Sequence, residues 1–502
     1  MSVFRSWFSC GPVLNLLAGA YCVGSTAAYG IVSLPLAVRF LGKEDLGLWN
    51  LVSQTTAYLL WLDIGVANMA GRTLAEPFHR GGQREINSAW SSLQVILGVQ
   101  SLLIAVIGFA LVPWFLSFFR IPEARIEDAR FVFVGSVALA AAGLPLRAAA
   151  GVFLCQNRFH WASITQGTIP WINLGVFGLF LSMGFGVRSF VFALALVTLV
   201  QWIWIGRLTA AGTPRPQFKP SLASRREAGR VLAYSSSMVL WGIAPVALAG
   251  LPAVVLGRQA GLDQVSIYHV TSRIPVMLAS LAGRTYHSFY PALQRAFVAG
   301  DHTRFASLFR LSTVLSVWIT GLCLFTAWWI NEDLVAILAK PDFFGGAALT
   351  AWICAGLFVV ALAEHSGTLF QYSGRPRWVS PVLALEIMVT AAIAFPLSQW
   401  LGPVGIAASL ALVPLLVRLP YFSIDGPRVC GFGFRELCGP AFLAFAGIVL
   451  SGAACYLAAT MDAGSGHAWP IGLLFAGLVT AALSGFKCRD DVRLLRRASS
   501  RV

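Results

Sequence analysis

The sequence predicts an all-α, polytopic membrane protein of about fourteen transmembrane helices. They are expected as two related six-helix lobes followed by a C-terminal helix pair. Three observations carry this expectation. Residues are 57% hydrophobic and only 11% charged, against about 25% charged in a soluble domain. Apolar runs long enough to cross a bilayer recur along the whole chain. Segments of the first half also recur in the second at a nearly constant offset.

The apolar runs fall at roughly 12–37, 46–74, 88–117, 130–153, 163–184 and 189–206 in the first half. They continue at roughly 233–256, 265–292, 311–330, 348–371, 380–399, 404–423, 440–460 and 469–486. The run after Arg5 is too long for a signal-peptide core and reads as the first spanning helix. Prolines inside the runs (Pro35, Pro145, Pro170, Pro245, Pro252, Pro396, Pro414) are tolerable where neighbouring helices satisfy the freed backbone groups. The expected organisation is an N-lobe over 1–206, a basic cytoplasmic linker over 207–231 and a C-lobe over 232–425. Helices 13 and 14 follow over 426–486, and a basic tail over 487–502.

The net charge of +15 does not call for a nucleic-acid partner, because its placement explains it. Most Lys and Arg residues fall in alternate short loops, as the positive-inside rule expects. The linker holds Arg207, Arg215, Lys219, Arg225, Arg226 and Arg230, and the tail holds Lys487, Arg489, Arg493, Arg496, Arg497 and Arg501. The intervening loops are acidic, with Glu123, Glu127, Asp128, Glu332, Asp333 and Asp342. Both termini are therefore expected in the cytoplasm, with the basic loops facing anionic headgroups.

Two pairs of segments suggest a duplication. "FHRGGQREINSAW" (78–90) aligns with "FVAGDHTRFASLF" (297–309) at a shift of 219. "VFLCQNRFHWAS" (152–163) aligns with "TLFQYSGRPRWVS" (368–380) at about 217, pairing Phe153 with Phe370, Arg158 with Arg375 and Trp161 with Trp378. Both copies begin at an odd-numbered helix, which implies parallel repeats with a site between the halves.

The run 265–297 combines spanning length with His269, Arg273, Arg284 and His287. At about 100° per residue these four, with Ser280, share one helical face. The two arginines stand about 16 Å apart along the axis. An arginine near the bilayer centre costs at least about 2.5 kcal/mol, so the stripe is expected to line a water-filled, cationic cavity suited to an anionic substrate. Snorkelling to the headgroups is the alternative, and it fits Arg273, placed nearer an end, better than Arg284. Pro275 is expected to break or bend this helix beside Arg273.

Three lone acids are candidates for ion coupling. Asp63 in "LLWLDIGVANMAGR" is the only acid of helix 2, and a buried carboxylate there can exchange a proton; a packing role at a helix end fits equally. Glu364 takes the repeat position of Arg147, so the two suit a gate or ion pair, or else two solvated helix ends. Glu386 in "PVLALEIMVTA" is a proton site or a packing residue. No catalytic constellation and no glycine-rich phosphate cradle is present, so neither an enzyme nor ATP hydrolysis is expected. No metal site is implied either.

The segment "LPLAVRFLGKEDLGLWNLVSQTTAYLLWLDIGVANMAGRTLAE" (34–76) resembles the Wzx-type polysaccharide flippases of the multidrug/oligosaccharidyl-lipid/polysaccharide (MOP) exporter superfamily. The likeness rests on Arg39, Leu41, Gly42, Gly47 and Trp49, then Asp63 and Gly65, with later support from "SGRPRW" and "LGPVGIAASL". The resemblance implies two six-helix lobes that open alternately to either side of the bacterial inner membrane. It implies a polyprenyl-pyrophosphate-linked glycan as cargo, an H+ or Na+ gradient rather than a cofactor as driving force, and other polysaccharide-assembly proteins as partners. The arginine fork suits pyrophosphate oxygens, which supports Arg273, Arg284 and Arg147, with His269 and His287, as substrate contacts. An organic-cation antiporter of the same superfamily is the nearest alternative. A membrane-embedded glycan polymerase or glycosyltransferase is the alternative from another class, weakened by the short outside loops.

Overall fold

A computed structural model of the chain describes residues 11–63, 65–236, 239–437 and 439. All regular secondary structure among them is helical. In the first half the helices are α1 (Gly11–Phe40), α2 (Lys43–Leu59), α3 (Ala70–Arg80), α4 (Gln83–Ala110), α5 (Val112–Phe118), α6 (Ile126–Gly143), α7 (Ala149–Cys155), α8 (Phe159–Ser182) and α9 (Ser189–Ala210). There follow α10 (Arg225–Ser236), α11 (Val239–Gln259), α12 (Leu262–His287), α13 (Tyr290–Val298), α14 (His302–Leu338), α15 (Ala347–Tyr372), α16 (Ser380–Leu401), α17 (Pro403–Leu416) and α18 (Arg418–Val429). Ten stretches among the described residues are long and apolar enough to span a membrane. Helices α2 and α12 are not among them. The first has 17 residues and gives way to a 3-10 turn at Leu60–Asp63, and the second carries the polar stripe. The helix pair expected over 440–460 and 469–486 lies outside the described residues.

The chain divides into two compact units, Met1–Val270 with Ala336–Phe343 and Thr271–Val335 with Phe344–Val502. In the first unit, Gly47 of α2 packs so closely on the backbone of Leu262 that a Cβ would collide with its carbonyl oxygen. Trp49, two residues on, stacks flat on Phe190 of α9 at 4.0 Å. Helices α3 and α7 also meet backbone to backbone, at Gly71 and Gly151. Tight contacts of this kind suit a bilayer, where small residues let helices approach closely.

The linker ahead of α10 is anchored rather than free. Gln83 donates to the Arg215 carbonyl at 2.7 Å, and the Gln217 N–H donates to Asn87 at 2.9 Å. The Lys219 N–H donates to Ser91 at 2.8 Å, Ser88 donates to the Leu222 carbonyl at 2.8 Å, and the Ser224 N–H donates to Ser92 at 2.9 Å. The acceptors and donors at 83, 87, 88, 91 and 92 recur at helical spacing, so one face of α4 binds the strap throughout.

In the second unit, Pro275 stands inside an unbroken α12. Proline has no N–H, so the carbonyl four residues earlier, that of Thr271, lacks its helical donor. Fully buried Asn331 of α14 supplies one at 2.9 Å, and also donates to Thr350 of α15 at 3.1 Å. Of the break or bend expected at Pro275, the break is absent, because a neighbouring helix satisfies the freed carbonyl.

The two aligned segment pairs have the same local structure. After α7, Asn157 adopts a left-handed conformation, and the N–H groups of Arg158 and Trp161 donate to Phe153 and Arg158. After α15, Gly374 is left-handed, and the N–H groups of Arg375 and Trp378 donate to Phe370 and Arg375. In each copy the arginine lies over the tryptophan ring, at 6.0 Å and 5.0 Å. Gly81 and Gly300 likewise both have positive φ just after a helix, followed by buried Ile86 and Phe305.

Candidate functional site

Helix α12 presents two faces. Ser266, Val270, Ile274, Ala282 and Tyr286 are buried, while Ser280, Arg284 and His287 are exposed and Arg273 and His269 are half-buried. The polar stripe read from the sequence is therefore the outward side of the helix. His269 belongs to the first compact unit, and Arg273, Ser280, Arg284 and His287 to the second. The helix ends at His287, earlier than the apolar run, so Arg273 stands near its middle and Arg284 in its last turn. There Arg284 is favoured by the negative end of the helix dipole. Among the described residues no carboxylate pairs with Arg284, so its guanidinium is available to an anion.

Arg147 and Asp63 are brought together. Asp63 ends the 3-10 turn after α2 and is buried; its Oδ1 accepts the Ala67 N–H at 3.1 Å. Arg147, in the 3-10 turn Leu144–Ala148, reaches Asp63 Oδ2 with Nη1 at 3.5 Å, with about half of its side chain still exposed. Gln100 of α4 donates to the Asp63 carbonyl at 3.0 Å, which fixes the turn. The result is a carboxylate held from behind and a cation with free donors in front.

Glu364, at the same repeat position as Arg147, accepts a hydrogen bond from Tyr286 at 3.1 Å. Tyr286 lies beside His287 at 4.3 Å and edge-on to buried His365 at 5.3 Å. His365 is locked in place: its Nε2 is 2.8 Å from the Thr313 hydroxyl, and its ring stacks on Phe309 at 4.8 Å. In each unit, then, the residue at this repeat position pairs with a group near the end of the corresponding second helix.

Glu386 is committed elsewhere. Arg418, at the start of α18, donates Nε and Nη2 to its two carboxylate oxygens at 2.7 and 2.8 Å, and both side chains are almost fully buried. A bidentate fork of this kind is a strong and geometrically specific pair. The sequence contained the signal for it: a lone arginine in an apolar run must find a partner, and lone Glu386 lies on a nearby run. Asn331 and Tyr286 carried no comparable sequence signal.

No protein-family model and no curated protein matches the chain. Solved structures do, and they are polytopic membrane carriers. A lipid II flippase MurJ in an inward closed conformation aligns with 96% of this chain and 100% of its own, at 10% identity and a TM-score of 0.73. An inward-facing multidrug resistance MATE family transporter of the MOP superfamily aligns over 80% of this chain and 95% of its own, at 13% identity and a TM-score of 0.65. A MOP superfamily transporter from Pyrococcus furiosus, described as having a binding pocket of reverse polarity, aligns over 84% and 96%, at 15% identity and a TM-score of 0.55. The chain shares the fold of these solved structures.

Proposed function

We propose that this chain is a flippase for a polyprenyl-pyrophosphate-linked oligosaccharide. It moves its cargo across the bacterial inner membrane by alternating access, driven by an H+ or Na+ gradient, for O-antigen, other lipopolysaccharide or exopolysaccharide synthesis. One observation carries the reading: Arg273 and Arg284 share the outward face of α12, and Arg284 is exposed with no carboxylate partner among the described residues. A pyrophosphate leaving the headgroup layer needs such cations, whereas an organic cation would be repelled by them. The fold likeness to a lipid II flippase supports the same class. Both termini are placed in the cytoplasm, where the basic linker and tail meet the anionic leaflet.

The test is flipping of a fluorescent polyprenyl-pyrophosphate oligosaccharide in vesicles holding the purified chain. Arg284→Ala is expected to reduce the rate at least tenfold while insertion and thermal stability stay near normal. A wild-type rate in that variant would remove the substrate role assigned to α12.

A further inference from the structure

The linker is an exposed basic strap whose backbone is pinned. Arg215, Lys219, Arg225 and Arg226 all point their side chains into the exposed surface, and none has a carboxylate partner among the described residues. The one acid of the stretch, Glu227, pairs with Arg230 at 3.0 Å. Phe218, between Arg215 and Lys219, is 55% exposed, an unusual position for a phenylalanine on a strap that has a polar helix face to lie on. The strap backbone cannot reorient to hide it, because Gln83, Asn87, Ser88, Ser91 and Ser92 of α4 hold residues 215–224 at successive turns.

Four unpaired cations and one exposed aromatic ring on the same stretch of chain match the chemistry of a membrane surface. A phenyl ring suits the acyl boundary, and long basic side chains suit the phosphates of an anionic leaflet. A flexible basic loop would gain the charge term but lose ordering entropy on binding. Here the ordering is done in advance by α4. We infer that residues 214–226 form a preorganised docking site for anionic phospholipid headgroups at the cytoplasmic leaflet. The inference rests on the cytoplasmic placement proposed for the linker and not on which cargo the carrier moves.

The test is lipid binding to the purified full chain in neutral detergent, followed by native mass spectrometry and thermal shift, with phosphatidylglycerol or phosphatidylcholine of equal chain length. Phosphatidylglycerol is expected to bind at least tenfold more tightly. Replacing Arg215, Lys219, Arg225 and Arg226 by Gln should abolish that preference. The charge-neutral variant Asn87→Ala/Ser91→Ala should weaken it at least threefold, since it frees the strap while keeping every cation. Should that variant misfold, Phe218→Ala at the exposed site reads the same surface and should lose about threefold. Equal affinity for the two lipids would overturn the inference. So would a staple variant or Phe218→Ala that binds phosphatidylglycerol like wild type, or a soluble polyanion such as heparin that binds as tightly as the lipid.

Discussion

Asn331 donates its side-chain amide to the Thr271 carbonyl at 2.9 Å, in the place of the N–H that Pro275 lacks. This contact joins α14 to the middle of α12, two residues from Arg273, so it supports the backbone that carries the candidate cargo-binding cation. Asn331→Leu should leave a buried carbonyl unsatisfied and cost about 1–3 kcal/mol. Pro275→Ala restores the helical donor, so in that background the same Asn331→Leu change should cost distinctly less. Thermal denaturation of the four proteins of this cycle gives the coupling directly. Equal costs in both backgrounds would show that Asn331 acts only through Thr350.

Glu386 and Arg418 make a different prediction. Removing one member of a buried pair strands the other charge, at about 3–5 kcal/mol. Glu386→Gln and Arg418→Met should each lower folded yield sharply, whereas Glu386→Leu combined with Arg418→Met should recover much of it. Yield of monodisperse protein after detergent extraction is the measurement. A transport defect with normal yield in Glu386→Gln would instead make this carboxylate functional, as the sequence left open.

How much of this was legible beforehand follows from where the information lay. Helical spacing placed Arg273, Ser280, Arg284 and His287 on one face, because a 3.6-residue period is a local property. The duplication was readable because Phe153, Arg158 and Trp161 form a compact turn, and Phe370, Arg375 and Trp378 repeat its hydrogen bonds. Tertiary partners were not readable in this way. Asp63 with Arg147, Tyr286 with Glu364 and Asn331 with Thr271 are separated by 60 residues or more, and nothing local to either member names the other. The end of α12 at His287 was also missed, since hydropathy continues through Phe289 and Tyr290 while the helix does not.

Orientation is testable by fusions. A reporter that fluoresces only in the cytoplasm should be bright when fused after Val502. An enzyme active only outside should work when inserted beside Asp342. Both follow from the proposed orientation, with the basic segments inside and the acidic loops outside. A dark but correctly inserted C-terminal fusion would require an odd number of spans.

The remaining prediction concerns coupling, and it follows from the Asp63–Arg147 pair. A carrier that releases a pyrophosphate must return with its cations compensated, or carry uncompensated charge through a region of low dielectric. Asp63 is placed to do this: Ala67 and Gln100 hold its turn, and its second oxygen faces Arg147 at 3.5 Å. Binding of H+ or Na+ at Asp63 would weaken that attraction and release Arg147 to the cargo, which links the ion gradient to loading. Glu364, at the repeat position of Arg147, is the carboxylate of the second unit's pair and is held by Tyr286. We therefore predict that Asp63→Asn lowers flipping at least tenfold and flattens its response to an imposed pH or sodium gradient, since Arg147 is then permanently unpaired. Glu364→Gln should slow flipping less, because an amide can still accept from Tyr286. Vesicles with a controlled pH or sodium difference across the bilayer give both readouts. If the two variants keep the wild-type gradient response, neither carboxylate couples, and the exposed His287 on the α12 stripe becomes the group to replace next.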